Sequence, residues 1–200
     1  FIDEAAVAVR RDPYEYRAEH LQENPRHLAV LRRAAEEAEW SRPLGAGRGR
    51  GISLQESFGS LVAQVVEVTV TDGQLSVDRV VAVIDPGLAV APDGIAAQLE
   101  SGIIYGLTAA LHGEITVENG AVVQSNFHDY PSVRMREAPR IETHVINSGH
   151  NIGGAGEPGT PGIAPALANA VFDATGLRIR QLPLSNFDLN YQAKEEGSVG

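Results

Sequence analysis

The sequence contains no cysteine among its 200 residues, and only 6% of them are aromatic. Without cysteine the chain can hold neither a disulfide nor a thiolate-ligated zinc ion or iron–sulfur cluster. Any electron carrier that works with this chain must therefore lie elsewhere. The same absence means that cysteine usage does not indicate the redox compartment.

Positive charge and long apolar runs are also scarce. The 16 Lys and Arg residues against 26 Asp and Glu give a formal net charge of −10, which argues against broad nucleic-acid binding. We interpret the small basic cluster Arg48-Gly-Arg50-Gly as a flexible linker rather than an RNA-binding element. The apolar runs are too short for a membrane span, and no charged-then-apolar leader opens the chain. We expect a soluble protein, cytoplasmic or periplasmic.

Hydrophobic residues make up 43% of the sequence, enough to bury a core. Apolar residues at helical spacing predict three helices near the N-terminus, of which the second is capped by Asp12-Pro13 and the third runs from Asn24-Pro25 to about Trp40. A Gly-, Pro- and Arg-rich stretch at 41–51 is typical of a linker. We expect three regions: a helical segment at 1–45, a domain at 46–190 and a polar, disordered tail at 191–200.

Alternating apolar residues in the middle of the chain indicate strands. The runs 61–70 and 75–85 flank Asp72-Gly73, the two-residue signal of a β-hairpin. We interpret Gln64 and Glu67, which interrupt the first run, as the exposed edge of a sheet. Further patterns predict a helix at 94–111, a second hairpin around Asn119-Gly120 with strands at 113–117 and 121–125, and a strand at 141–146. The sequence predicts an α+β fold with a mixed or antiparallel sheet and packed helices.

A glycine-rich loop, Gly-Gly-Ala-Gly-Glu-Pro-Gly at 153–159, carries Glu157 as its only ionisable group. A small-faced helix follows, with apolar residues at 164, 167, 168, 171 and 172; it begins between 161 and 165 and ends at Gly176. The N–H groups of a helix N-terminus suit an anion, so the loop could hold both a ligand and a base. The alternative is a glycine-rich turn whose glutamate is merely solvated.

The order of these residues resembles a known family. The loop, followed by Ala-Pro-Ala-Leu-Ala-Asn-Ala-Val-Phe at 164–172 and Thr-Gly-Leu-Arg-Ile-Arg-Gln-Leu-Pro-Leu at 175–184, resembles the C-terminal end of the large subunit of molybdenum hydroxylases. The most similar branch is the isoquinoline 1-oxidoreductase beta-subunit type, related to aldehyde oxidases and xanthine dehydrogenase. The segment at 124–131, which contains His128 and Asp129, also matches; we expect it to shape a substrate entrance or to hydrogen-bond its own loop.

The resemblance implies roles for particular residues. Glu157 falls on the family's active-site base beside molybdenum, and Gln98 falls on a glutamine that hydrogen-bonds the pterin. Gly154, Ala155 and Gly156 are expected to line the cofactor, and no side chain is expected to bind the metal. The sequence departs from the family where Leu88 replaces an Arg, Ala91 an Asn and Ser101 a Gly.

The resemblance also implies cofactors and partners. We expect molybdopterin with molybdenum, in the cytosine dinucleotide form, and 2Fe-2S clusters on a small partner subunit. The family's Met-Gly-Gln-Gly type of cofactor segment is absent, so the remaining part of the large subunit is a further expected partner. The implied function is oxidation of an aldehyde or N-heteroaromatic carbon, a small-molecule substrate, with water as the oxygen source. The alternative is a non-catalytic binding or assembly module of the same fold.

Overall fold

The computed structural model describes residues 1–190, which form five helices and six strands. The helices are α1 Ile2–Ala8, α2 Pro13–His20, α3 Pro25–Glu37, α4 Pro92–Leu111 and α5 Ile163–Thr175, with a short 3₁₀ turn at Leu184–Asn186. The strands are β1 Arg48–Ser57, β2 Ser60–Thr71, β3 Gln74–Asp85, β4 Val117–Glu118, β5 Ala121–Val122 and β6 Arg140–Val145. The α+β expectation is confirmed. The predicted tail at 191–200 lies outside the described residues.

The main sheet has the strand order β1-β2-β3-β6. Strands β1, β2 and β3 pair antiparallel, whereas β6 pairs parallel to β3 after a crossover through α4. Asp72 and Gly73 have positive φ angles of 50° and 74°, as a tight two-residue turn requires. The first predicted hairpin is therefore confirmed, and the second is present as the two-residue strands β4 and β5.

The sheet lies between two helical layers. Helix α3 covers one face, where Leu31 and Ala34 pack with the odd-numbered side chains of β2 such as Leu61 and Val65. Helices α4 and α5 cover the other face, where the even-numbered β2 residues Val62, Val66 and Val68 are buried, together with a set of helical side chains: Leu99, Ile103, Leu107, Ile163, Leu167 and Val171. Within residues 1–190, no helix combines the length and the apolar character that a membrane span needs.

Strand β1 begins inside the stretch that was interpreted as a linker. A Cβ atom at Gly49 or Gly51 would overlap backbone atoms of α5, because the helix packs directly on this strand. Arg50 points to the other face and is 7% exposed. The linker expectation is wrong for 48–51: the glycines admit a helix at close range, and the arginine is buried between layers.

Gln64 and Glu67 are not at a sheet edge. Strand β2 lies between β1 and β3, and the two side chains are 0% and 3% exposed. Glu67 is buried beside Arg50 and the half-buried Arg42. The guanidinium groups of Arg42 and Arg50 donate to its carboxylate at 2.8 and 2.7 Å. The edge interpretation is therefore wrong: β2 is an inner strand, and both Gln64 Nε2 and the Glu67 carboxylate have hydrogen-bonding partners inside the protein.

Helix α5 begins at Ile163 and ends where Gly176 takes a left-handed φ of 75°, both as predicted. Its buried face is shifted by one position towards the N-terminus from the prediction: the structure buries Ile163, Ala166, Leu167, Ala170 and Val171. Backbone atoms of Ala166 and Ala170 lie directly against the glycines of β1, so this flank of the helix packs closely onto the sheet.

Candidate functional site

The loop that carries Glu157 is anchored where several elements meet. The N–H of Gly153 donates to the carbonyl of Pro86, just after β3, and the N–H of Gly154 donates to the carbonyl of Phe58 in the β1–β2 turn, both at 2.8 Å. The N–H of Thr160 then closes a turn onto the carbonyl of Glu157 at 2.9 Å. The backbone on both sides of Glu157 is thus bound to the rest of the chain.

The glycines of this loop differ in whether a neighbouring atom excludes a side chain at that position. A Cβ at Gly154 would lie 2.9 Å from the Cβ of Phe58, and one at Gly159 would lie 2.6 Å from the carbonyl oxygen of Leu99. At Gly156, by contrast, an added Cβ would meet no atom of residues 1–190 within 4 Å. Packing inside this chain therefore explains Gly154 and Gly159 but does not require a glycine at 156.

The Glu157 side chain is exposed, whereas Pro158 and Gly159, the next two residues, are buried. Within residues 1–190, no hydrogen bond is donated by the N–H groups of Ala155, Gly156 and Glu157. The site therefore presents one carboxylate together with three unused backbone donors. The N–H of Gly154 is already engaged by Phe58, so Gly154 can contribute shape to a ligand site but not this donor.

Gln98 lies on α4, the helix that packs against the loop. Its side chain is exposed on α4, one residue before Leu99, against whose carbonyl Gly159 packs. One turn along the helix, Gly102 has Gly159 as its neighbour: an added Cβ would lie 3.2 Å from the Gly159 Cα. The Thr160 hydroxyl donates to the Gly102 carbonyl at 3.2 Å. Gly102 of α4 therefore lets the Glu157 loop pack against the helix at close range.

Asp85, at the end of β3, was not identified from the sequence as a site residue. Its buried carboxylate accepts hydrogen bonds from Arg26 Nε at 2.7 Å and from the Ser148 hydroxyl and the Gly87 N–H, both at 2.8 Å. Burial raises the pKa of Asp85, but these three donors outweigh it and hold the pKa below its ordinary value. The Asp-x-Gly pattern at 85–87 was the feature of the sequence from which Asp85 could have been identified. Asp85 fixes the turn from which Pro86 reaches the Glu157 loop.

The segment after β5 forms its own turn. The N–H groups of Asn126 and Ser125 donate to the Asp129 carboxylate at 2.9 and 2.8 Å, and they lower the pKa of Asp129 to about 2. Asp129 is therefore a turn-forming acceptor, one of the two roles expected for this segment. Phe127 and Tyr130 line a groove of about 930 Å³ along α4 that also includes Thr160. Its use as a substrate entrance stays a prediction.

Comparison with known proteins identifies the domain. Residues 5–139 match the family model of the molybdopterin cofactor-binding domain. The chain belongs to this family. Within the part that the structure describes, no group of three or more His, Asp or Glu side chains has a geometry that could hold a metal ion.

Curated relatives agree with the resemblance seen in the sequence, which is thereby confirmed. The domain is 37% identical over 188 residues to the beta subunit of isoquinoline 1-oxidoreductase from Brevundimonas diminuta, a match that covers 92% of this chain and 24% of that protein. It is 33% identical over 205 residues to a subunit of nicotinate dehydrogenase from Pseudomonas putida, covering 92% and 17%. The chain thus spans about a quarter or less of the length of these relatives.

Solved structures have the same fold. Carbon monoxide dehydrogenase from Oligotropha carboxidovorans aligns with a TM-score of 0.52 and 27% identity, over 57% of this chain and 15% of that one. Quinoline 2-oxidoreductase from Pseudomonas putida 86 aligns with a TM-score of 0.53 over 57% of this chain and 16% of that one. Its 22% identity supports the shared fold alone.

Proposed function

We propose that this chain is the C-terminal part of the large subunit of a molybdenum hydroxylase and supplies its glutamate base, Glu157. The substrate class is an aldehyde or an N-heteroaromatic carbon, with water as the source of the oxygen. Relatives named for isoquinoline, nicotinate and aldehyde oxidation support this class. The same proposal includes the cytosine dinucleotide form of the cofactor, the rest of the large subunit and a small subunit with 2Fe-2S clusters.

The observation that carries the proposal is the contrast between Glu157 and its own backbone. The side chain is exposed, while the backbone on either side of it is held by β1, β2 and the turn between them. A carboxylate on an anchored loop can take a proton repeatedly in one geometry, which is what general-base catalysis needs. We propose that Glu157 accepts the proton that water loses when its oxygen bonds to the substrate carbon.

The residues beside Glu157 fit a bound pterin. The unused N–H groups of Ala155 and Gly156 can donate to an anionic or carbonyl group, and the open space at Gly156 lets a ligand approach the backbone. We propose that the exposed amide of Gln98, on the neighbouring turn of α4, adds a side-chain contact. When bound, the molybdenum cofactor supplies the acceptor for the two electrons that leave the substrate.

The test replaces Glu157 by Gln in the assembled enzyme. Gln keeps the shape of the side chain but cannot accept the proton, so turnover should fall by ~10²–10⁴-fold. The measurement is the rate of substrate-driven cofactor reduction in wild type and Glu157→Gln at matched molybdenum content. Glu23→Gln, an exposed carboxylate in the turn between α2 and α3, is the matched control and should reduce at the wild-type rate.

Two results would contradict the proposal. Equal reduction rates for wild type and Glu157→Gln would show that Glu157 is not the base. A purified assembly that is stable but contains neither molybdenum nor pterin would favour the alternative of a non-catalytic binding or assembly module.

A further inference from the structure

Three side chains of the β1–β2 hairpin hold the carbonyl groups of the Glu157 loop. Ser60 Oγ donates to the Gly154 carbonyl at 2.6 Å. Gln55 Nε2 donates to the Pro158 carbonyl, and Gln64 Nε2 donates to the Gly159 carbonyl, both at 2.7 Å. The three bonds bracket Glu157, with one before it and two directly after it.

We propose that Gln64, supported by Gln55, is a positioning residue that fixes the direction of the Glu157 carboxylate. This inference rests on the proposed role of Glu157 as base. Gln64 lies in a central strand with none of its surface exposed, a place where an apolar side chain would be expected. A buried amide is costly unless it is hydrogen-bonded, and the Gly159 carbonyl is the partner that its nitrogen has.

The opposite side of the loop explains why one hydrogen bond can set its position. Gly159 packs against the Leu99 carbonyl of α4 without room for a Cβ, so the loop cannot move closer to that helix. Gln64 holds the Gly159 carbonyl from the sheet, and Gln55 holds the preceding carbonyl. The backbone at Gly159 is therefore held between the Gln64 side chain and helix α4. Because the Thr160 N–H donates to the Glu157 carbonyl, the backbone of Glu157 is fixed relative to Gly159.

Gln64 contacts the loop through its side-chain nitrogen, Nε2. Its Oε1 atom is buried and has no hydrogen-bond partner within the described residues, and the same is true of the hydroxyl of Ser53. Ser53 is the direct cross-strand neighbour of Gln64 on β1. Ser53→Ala therefore changes a buried polar residue on the same sheet surface without removing a bond to the loop, and it is the matched control.

The experiment compares variants in the assembled, molybdenum-loaded enzyme. Gln64→Met keeps the approximate volume and removes the donor, and Gln64→Glu places an acceptor against the Gly159 carbonyl. Because a shift of about 1 Å in a catalytic group can cost 10²-fold, we expect Gln64→Met to lower kcat by ~10- to 100-fold and Gln64→Glu to lower it at least as much. KM and molybdenum content should stay within about twofold of wild type, and Ser53→Ala should match wild type.

A second readout does not depend on turnover. Hydrogen–deuterium exchange at 155–160 should become faster in Gln64→Met and stay unchanged in Ser53→Ala. If Gln64→Met yields no molybdenum-loaded enzyme, Gln55→Met tests the positioning role instead. Gln55 is only half-buried, so its replacement disturbs the core less, and loss of its bond to the loop should lower kcat in the same way.

A purely structural role would overturn the inference. It predicts a lower melting temperature for Gln64→Met with unchanged kcat per molybdenum and unchanged exchange of the loop. Failure of the proposed function is distinguishable from this result. In that case Glu157→Gln turns over normally, whatever Gln64→Met does to the loop.

Discussion

Replacing Glu67 by Gln should destabilise the protein strongly, because this buried carboxylate holds several arginines. Its Oε1 atom accepts from Arg50 Nη2 at 2.7 Å and from Arg42 Nη2 at 2.8 Å. Two further guanidinium groups, of Arg48 and Arg79, lie 3.8 Å from the carboxylate. Arg50 also donates to the carbonyls of Glu39 and Arg42 at 3.3 and 3.2 Å, so the cluster joins the end of the helical segment to the sheet.

The size of the destabilisation expected for Glu67→Gln follows from the burial of the ion pair. The Arg50 and Glu67 side chains are 5% and 3% exposed, so water cannot compensate the arginine when the negative charge is removed. Breaking a buried ion pair by removing one partner costs about 3–5 kcal/mol. For a chain of this size each kcal/mol lowers the melting temperature by about 2–4 °C, so the expected fall is roughly 6–20 °C.

Thermal and denaturant unfolding of the purified protein, followed by circular dichroism, measures this effect. The matched control is Glu19→Gln, which breaks the Arg11–Glu19 pair at 2.6 Å, where the side chains are 42% and 54% exposed. A surface pair contributes about 0–1 kcal/mol, so the control should unfold close to wild type. If Glu67→Gln loses less than about 1 kcal/mol, or no more than Glu19→Gln, the cluster does not stabilise the fold as argued.

Three further predictions follow from packing, charge and the proposed cofactor site. Gly51→Ala should cost about 1–3 kcal/mol or more of unfolding free energy, because its Cβ would overlap the Ala166 carbonyl. Gly45→Ala should be neutral, because an added Cβ there would meet no atom of the described part of the chain within 4 Å. Asp85 has a pKa below its ordinary value of 3.8 in the folded protein, so its contribution to the free energy of unfolding is complete above about pH 4 and is lost as the pH falls through the lower folded pKa. In Asp85→Asn, the free energy of unfolding should therefore depend less steeply on pH in the acid range. Gln98→Ala should lower the molybdenum content of the assembled enzyme and leave substrate preference unchanged, since a lost buried hydrogen bond costs about 1–3 kcal/mol. Unchanged molybdenum content with an altered substrate preference would count against a contact between Gln98 and the pterin.

Local patterns in the sequence were enough to predict most elements. Asp12 caps α2 as expected, with its carboxylate accepting the N–H groups of Tyr14 and Glu15 at 2.9 Å. The Asp72-Gly73 turn and the Gly176 stop are likewise where the sequence predicted them. These features depend on backbone conformations that neighbouring residues decide, so a short window of sequence contains the information.

The glycine loop could be found by sequence but not fully explained by it. The order of its residues was sufficient to identify the family and to single out Glu157. The different reasons for glycine at 154, 156 and 159 depend on which atoms lie opposite each Cα. Those atoms belong to Phe58 and Leu99, which are far away along the chain.

Only the tertiary structure decided how the polar residues of the first two strands are used. Gln64 and Glu67 look alike in the sequence, as polar interruptions of an apolar strand, and Arg50 looks like part of a linker. Strand order puts β2 inside the sheet, and alternation then sends Gln64 to the face of the Glu157 loop and Glu67 to the arginine cluster. Burial is set by partners far apart in sequence, Gly159 for Gln64 and Arg50 for Glu67, and long-range pairing of this kind leaves no periodic signal in the segment itself.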